Sequence, residues 1–562
     1  GYGRCQIDLA RQLGRFVYRQ AYEETLDVDR DQAARVVAQA RHHATVVLPT
    51  HRSNLDSGVM PSAWHELGLP PTHTFAGINM AFWPLGPIMR RSGSIFIRRR
   101  VRDDPAYRYV LREYLGYLIE KGFHLEWYIE GGRSRTGKLL PPRLGLLTYV
   151  IDAYREGRTD DVVLVPASIT YDQLREVADF AGEARGEAKQ RESIRWLVGL
   201  MRGNRGHSYG RIYVRFGEPL SLRNTLGPPT GSAGIARREQ DRSVQEIGFE
   251  VSWRINQATP VTATALLTLL LLGAPGRALT YEQVRAAARQ HVDDAEQRKL
   301  PMTDSAASLR TDRGVGAALD ALIDNDVVVC SDDGPDPVYV IGADQHLAAA
   351  FYRNSILHHF LDGSIAELAL VSAAEPGVPD PLSTFWAAAI GVRELLKFEF
   401  LFREEDEFRV GVAAALVRND SRWQVRVADG PPGVFGLLRS FRALTAPLTL
   451  RSFLEAYSVV ALELARRGSD AVADDESLVA ACEGHGRQRL LQKRIQSPES
   501  VSRHVFRTGL RLACSRGLVA AGDDLASRRA SFVTETEQLL RRLDAIEAIA
   551  CPVAGQEHDD GR

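Results

Sequence analysis

Cysteine is scarce in this chain. The five present, Cys5, Cys330, Cys482, Cys514 and Cys551, lie far apart and form no CxxC pair. That argues against a disulfide framework or a thiolate zinc site, and scattered thiols in a reducing compartment are expected. Excess charge is lacking too: 70 basic residues against 71 acidic ones leave a formal charge of −1. A balanced chain has no general attraction to nucleic acid or anionic lipid, so any cationic site has to be local. Nor is there a long hydrophobic run. "TPVTATALLTLLLLGAP" is shorter than the ~20 residues of a spanning helix, and Gly273 and Pro275 interrupt it, so a buried core helix is expected there. No signal peptide opens the chain. The helical spacing of Ile7, Leu9, Leu13, Phe16 and Val17 is already under way, which suggests that residues precede Gly1. No serine sits in a GxSxG setting, so a hydrolase elbow finds no support.

What is present describes a folded protein of more than one domain. The chain has 562 residues, 44% of them apolar, which is too long for one core and too apolar for disorder. Between residues 45 and 219, β-branched apolar runs alternate with helical patterns. The runs are "TVVLPTH", "THTFAGI", "GSIFIRR", "HLEWYIEG", "DVVLVPASITYD" and "GRIYVRFGEPL". Such alternation predicts an α/β domain with a mostly parallel sheet flanked by helices. "RNTLGPPTGSAGIARREQD" breaks the pattern and reads as a linker. The remainder is mainly helical, and it includes helices followed by a β-hairpin around Asp332-Asp333-Gly334 in a winged-helix-like layout. Its candidate recognition stretch, residues 315–326, carries three Asp and no Arg or Lys, so it reads as a packing module that does not bind nucleic acid. The expected divisions are a helical segment 1–44, the α/β domain 45–225, a linker and connecting helix 226–258, the winged-helix-like module 259–345 and a helical domain 346–562.

"EGGRSRTGK", beginning at Glu130, imitates a nucleotide-binding loop. A phosphate loop needs Ser or Thr after Gly-Lys, on the first turn of a helix. Here Leu139 and Leu140 follow, then Pro141 and Pro142, and a proline pair prevents a helix from starting at the lysine. What remains is a turn bearing Arg133, Arg135 and Lys138, in which Gly131 and Gly132 let main chain approach a ligand closely. "GSIFIRRR" likewise ends in Arg98, Arg99 and Arg100. If the two strands run parallel as near neighbours, both clusters emerge at one sheet edge, where open α/β sheets bind ligands. Guanidinium groups grip phosphate through paired hydrogen bonds.

"HRSNLD" ends the first strand. A spacing of five would splay His51 and Asp56 by about 140° on one helix. With His51 on the strand end and Asp56 in the first helical turn, the two can touch, giving a base and its orienter. The plainer reading is that Asp56 only favours the helix N-terminus.

Four blocks in order, "HRSNLD", "GSIFIRR", "YIEGGRSRTGK" and "VPASITYD", together with "AGINMAFWPLGPIMRRSG" and "REYLGYLIEKG" between them, resemble the membrane-associated glycerol-3-phosphate 1-acyltransferases of bacteria, in the HxxxxD acyltransferase superfamily. "FYRNSILHHF" and "LLKFEFLF" are similar to that family's helical C-terminal region, so the resemblance spans most of the chain. It implies transfer of a fatty acyl group from acyl-CoA or acyl carrier protein to the sn-1 hydroxyl of glycerol 3-phosphate, the first step of phospholipid synthesis. His51 would be the general base and Asp56 its partner. Gly93, Arg99, Glu130, Gly131, Ser134 and Arg135 would serve the phosphate-bearing substrate, with Arg98, Gly132, Arg133 and Lys138 beside them, and Pro166 would lie near the active or donor site. Ser94 and Asp172 depart from the usual alanine and glutamate. No metal and no cofactor beyond the acyl donor is expected. The implied location is peripheral, on the cytoplasmic face of the cell membrane. "NMAFWPLGPIMRR" offers Phe82, Trp83, Leu85, Ile88 and Met89 before two arginines, either for docking on anionic lipid or as ordinary core. Rival readings are a related HxxxxD enzyme acting on dihydroxyacetone phosphate or lysophosphatidate, and a non-catalytic scaffold that binds lipid or phosphate.

Overall fold

The computed structural model describes residues 4–81, 83, 85–98, 104–187, 208–229, 237–470, 474–522 and 524–550. Two compact units emerge, Gly1–Val177 with Ala188–Thr262, and Ala178–Glu187 with Ala263–Arg562.

In the first unit the strands are β1 (Asp27–Val28), β2 (Ala44–Pro49), β3 (His73–Gly77), β4 (Ile95–Ile97), β5 (Leu125–Glu126), β6 (Val162–Tyr171), β7 (Ile212–Phe216) and β8 (Leu220–Ser221). Their order is β1-β7-β6-β2-β5-β3-β4, with β8 paired to β6 off this path. Five of the seven pairings are parallel, and only β7 and β8 run against β6. Every residue of β2 and β6 is buried, which is why both read as continuous apolar runs. The helices of this unit include α1 (Arg4–Arg19), α2 (Arg30–Ala40), α3 (Asp56–Glu66), α4 (Leu85–Arg91), α5 (Pro105–Glu120) and α6 (Gly145–Arg155). Helix α5 follows its sequence grammar: the Asp104 side chain accepts from the Tyr107 N–H, Pro105 occupies the first turn, and Gly122 leaves at φ 71°. Leu111, Leu115 and Ile119 of α5 and Leu147, Val150 and Ile151 of α6 cover one sheet face, against Val46, Leu125, Trp127 and Leu164.

Three details differ from the sequence expectation. The ladder of β5 spans two residues only, although the Trp127 N–H still donates to Val47. Strands β4 and β5 are not neighbours, because β3 lies between them; all three are parallel, so their ends still reach one edge. The helix Arg237–Ala258 packs Val244, Ile247, Val251 and Ile255 into the same core as the sheet, so it is part of the first unit rather than a free connection.

Each residue of helix Ala263–Leu272 in the second unit is buried. Strands Leu279–Thr280, Val328–Ser331 and Val338–Ile341 form a three-stranded antiparallel sheet beside helices Tyr281–Gln297 and Asp312–Asp324. Helices follow from His346 to Ala550. Among the described residues, no helix is long and apolar enough to cross a membrane, and no group of three His, Cys, Asp or Glu could hold a metal.

Candidate active site

Strand β2 ends at Pro49 and α3 begins at Asp56, so the six-residue motif is a loop closed on itself. The closure is made by Asp56. Its Oδ2 accepts from the main-chain N–H of Arg52 (2.7 Å) and Ser53 (2.9 Å), and His51 Nδ1 lies 3.0 Å from the same oxygen. An ionised carboxylate only accepts, so Nδ1 carries the proton and Nε2 is left as the acceptor. Asp56 is fully buried, whereas the His51 side chain retains 20% exposure. The base and orienter expected from the sequence are therefore in contact.

Further groups hold the pair. Asp56 Oδ1 accepts from the Tyr171 hydroxyl at 2.5 Å. Burial, with the Asp56 charge, drives Tyr171 well above the ordinary tyrosine range, so it stays a neutral donor. The Tyr128 ring stacks on the His51 ring, with centroids 4.0 Å apart and planes 12° from parallel. Glu176, beyond the end of β6, accepts through Oε1 from the Ser53 hydroxyl (2.7 Å) and the Asn54 N–H (3.0 Å), clamping the middle of the loop.

The glycine-arginine turn is bonded directly to this loop. Glu130 Oε1 accepts from the His51 N–H (2.8 Å), and its Oε2 from the Leu140 N–H (2.8 Å). The Ser134 N–H donates to the His51 carbonyl (3.0 Å), and Arg52 Nη1 donates to the Lys138 carbonyl (2.9 Å). Burial raises the Glu130 carboxyl, while Arg52 and the two N–H donors pull it back down. Both oxygens of Glu130 are thus engaged in tying the turn to the histidine. Ser134 is fully buried and its hydroxyl donates to Lys138 (2.6 Å), so it is a hinge of the turn. Gly131 sits at φ 65°, and a Cβ there would meet the Arg143 side chain at 2.6 Å. Space at Gly132 is open. Arg133 and Arg135 flank Ser134, so they lie on the segment that touches His51.

Other predicted residues are placed elsewhere. Gly93, at φ 106°, makes the turn from α4 into β4, and its carbonyl meets the His73 ring. The Arg98 side chain is exposed, pairs with Asp104 (3.3 Å) and lies over the Tyr107 ring. Arg99 and Arg100 lie outside the described residues, as does Phe82. Pro166 is buried within β6, between the segments that pair β8 and β7, where its missing N–H breaks no ladder.

Sequence reading missed Tyr128, Tyr171, Glu176 and Arg52. Tyr171 stands inside a quoted block, and its signal is a hydroxyl in a ten-residue buried strand. Glu176 had no signal, because its partners lie more than 120 residues away.

Glu126, two residues before Tyr128, is fully buried with a hydrogen bond from Thr72 (2.8 Å), and burial pushes its carboxyl up from 4.5 to about 7. The folded chain therefore holds this proton more tightly than the unfolded one. Stability from it is full below pH 4.5, falls as pH rises toward 7, and is lost above that. Glu126→Gln should melt about 2–4 °C higher than the parent at pH 8 and level with it near pH 4.5. A melting difference that does not change with pH would contradict the assignment.

Two family models match the chain. "Acyltransferase" matches residues 30–170, and "Glycerol-3-phosphate acyltransferase C-terminal region" matches residues 180–522. The putative acyltransferase plsB1 of Mycobacterium tuberculosis is 40% identical over 527 residues, covering 93% of this chain and 84% of that protein. A glycerol-3-phosphate acyltransferase of Aeromonas hydrophila is 32% identical over 509 residues, covering 88% of this chain and 61% of that protein. Among solved structures, the 1-acyl-sn-glycerophosphate acyltransferase of Thermotoga maritima covers 44% of this chain and 79% of its own, at 16% identity and a TM-score of 0.26. That score is too low to equate individual residues.

Proposed function

The chain belongs to the glycerol-3-phosphate acyltransferase family and acylates glycerol 3-phosphate, and from that premise we propose how its residues divide the work. His51 is the general base and Asp56 its orienting partner. Nε2 takes the proton of the sn-1 hydroxyl as the oxygen bonds to the thioester carbonyl carbon of the donor. The tetrahedral intermediate collapses, the C–S bond breaks, and the departing thiolate recovers the proton from His51. The product is 1-acyl-sn-glycerol 3-phosphate. The donor is acyl-CoA or acyl carrier protein. Its thioester is already activated, so the step calls for no further cofactor. Arg133, Arg135 and Lys138, on the turn bonded to His51, receive the phosphate, with Gly132 giving it room, and Arg98 and its sequence neighbour Arg99 are assigned to the same phosphate. Glu130 and Ser134 act from within, by fixing that turn against the base.

The observation that carries this reading is the 3.0 Å contact of His51 Nδ1 with Asp56, on a loop whose main chain is bonded to the arginine turn. The test is release of free thiol from acyl-CoA, followed with and without glycerol 3-phosphate. Release that requires glycerol 3-phosphate is expected. No release with either thioester donor would favour a non-catalytic scaffold, and faster release with lysophosphatidate or dihydroxyacetone phosphate would move the chain to a sister activity.

The product is a lipid, which suits an enzyme docked on the cytoplasmic face of the cell membrane. The docking patch we assign centres on Trp83, which is 76% exposed, with half-buried Ile88 and Met89 and exposed Arg90 and Arg91 on α4 beside it. An exposed indole next to basic residues suits an anionic lipid surface better than a core. Trp83→Ser is expected to weaken retention on anionic vesicles about 3- to 10-fold without changing the melting temperature. Unchanged retention would remove this patch from the account.

A further inference from the structure

Tyr128 touches the proposed base but belongs to neither the acid–base pair nor the arginine set. It lies just past β5, two residues from both Glu126 and Glu130 in the chain, and its ring is stacked 4.0 Å from the His51 ring. Its hydroxyl is buried, and among the described residues nothing accepts from it or donates to it. A buried hydroxyl without a partner is a cost, so what the site gains from this side chain is the ring.

The contact has a consequence for the reaction. Asp56 fixes one atom of the His51 ring, Nδ1, and the stack fixes the plane, so together they aim Nε2. The histidine is neutral before the proton moves and cationic afterwards. An aromatic face holds a neutral ring by stacking and attracts a cation more strongly. An interaction stronger after proton transfer than before it raises kcat and leaves KM alone.

We infer that Tyr128 is a positioning residue for the general base: its ring orients the His51 imidazole and favours the protonated form that arises during acyl transfer. The inference rests on the reading of His51 as the base.

The experiment compares Tyr128→Phe, Tyr128→Met and a ring-trifluorinated phenylalanine at position 128 in the full chain, with His51→Ala measured alongside. Tyr128→Phe keeps the ring and sheds the unpartnered hydroxyl, so it should retain kcat within about 2-fold and melt no lower than the parent. Tyr128→Met should lose about 3- to 30-fold in kcat at unchanged KM for glycerol 3-phosphate, the rate equivalent of a cation–π contact. The trifluorinated ring keeps the shape but not the electron-rich face, so its kcat should fall toward that of Tyr128→Met even if the methionine variant folds poorly. Full kcat in the fluorinated variant overturns the inference, and so does a loss in Tyr128→Phe as large as in Tyr128→Met. A fully active His51→Ala would instead sink the base assignment itself, which separates the two failures.

Discussion

His51→Ala should lower kcat by about 10²–10⁴-fold, the usual contribution of a positioned general base. The neighbouring carboxylates are poorly placed to substitute. Both Asp56 oxygens accept hydrogen bonds from the loop and from Tyr171, and both Glu130 oxygens are taken by main-chain N–H groups. Glycerol 3-phosphate should still bind, because its phosphate is assigned to the arginine turn. The turn itself should survive: the bonds from Glu130 and Ser134 reach the His51 main chain, which alanine retains. Asp56 would lose one donor and keep three, so melting should shift little. Steady-state turnover together with calorimetric binding of glycerol 3-phosphate measures both halves. Near-normal turnover would remove the imidazole from the mechanism, and loss of binding would assign it to substrate.

Asp56→Asn should be the second large effect, and its size follows from the four donors. Three of them converge on Oδ2, so the amide oxygen belongs there and the NH₂ turns toward Tyr171, whose hydroxyl can rotate to accept. The loop and the His51 tautomer are then kept. What disappears is the charge that stabilises the imidazolium. Two unit charges 3.0 Å apart attract by about 5.5 kcal/mol at an effective dielectric near 20, which bounds the loss. A fall in kcat of about 10²–10³-fold is therefore expected, with modest loss of stability. Asp56→Ala, by contrast, strands several buried donors and should destabilise by about 2–5 kcal/mol. The pair is compared by kcat and urea unfolding. Equal stability of the two variants would contradict the bonding assigned to this carboxylate.

Much of this site could be read in the sequence because its signals are local. Strands β2 and β6 are buried on both faces and so spell continuous apolar runs, and "HRSNLD" puts a base and an acid within one loop. The two-residue strands β1 and β5 are too short for any period to show. The N-terminal 44 residues read as helical, yet they also contain β1, paired with β7 nearly 190 positions on. Tyr171 and Glu176 act on the loop from 115 and 123 residues away, a relation only folding creates. Glu130 illustrates the opposite difficulty. Its block marked it as important, but only the structure shows its carboxylate spent on two main-chain N–H groups.

A crystal structure of the full chain with glycerol 3-phosphate would bear most directly on all of this. The sn-1 hydroxyl is expected at about 3 Å from His51 Nε2, with the phosphate on Arg133, Arg135 or Lys138. A phosphate bound away from that turn, or a hydroxyl out of reach of Nε2 while the phosphate is on it, would contradict the account.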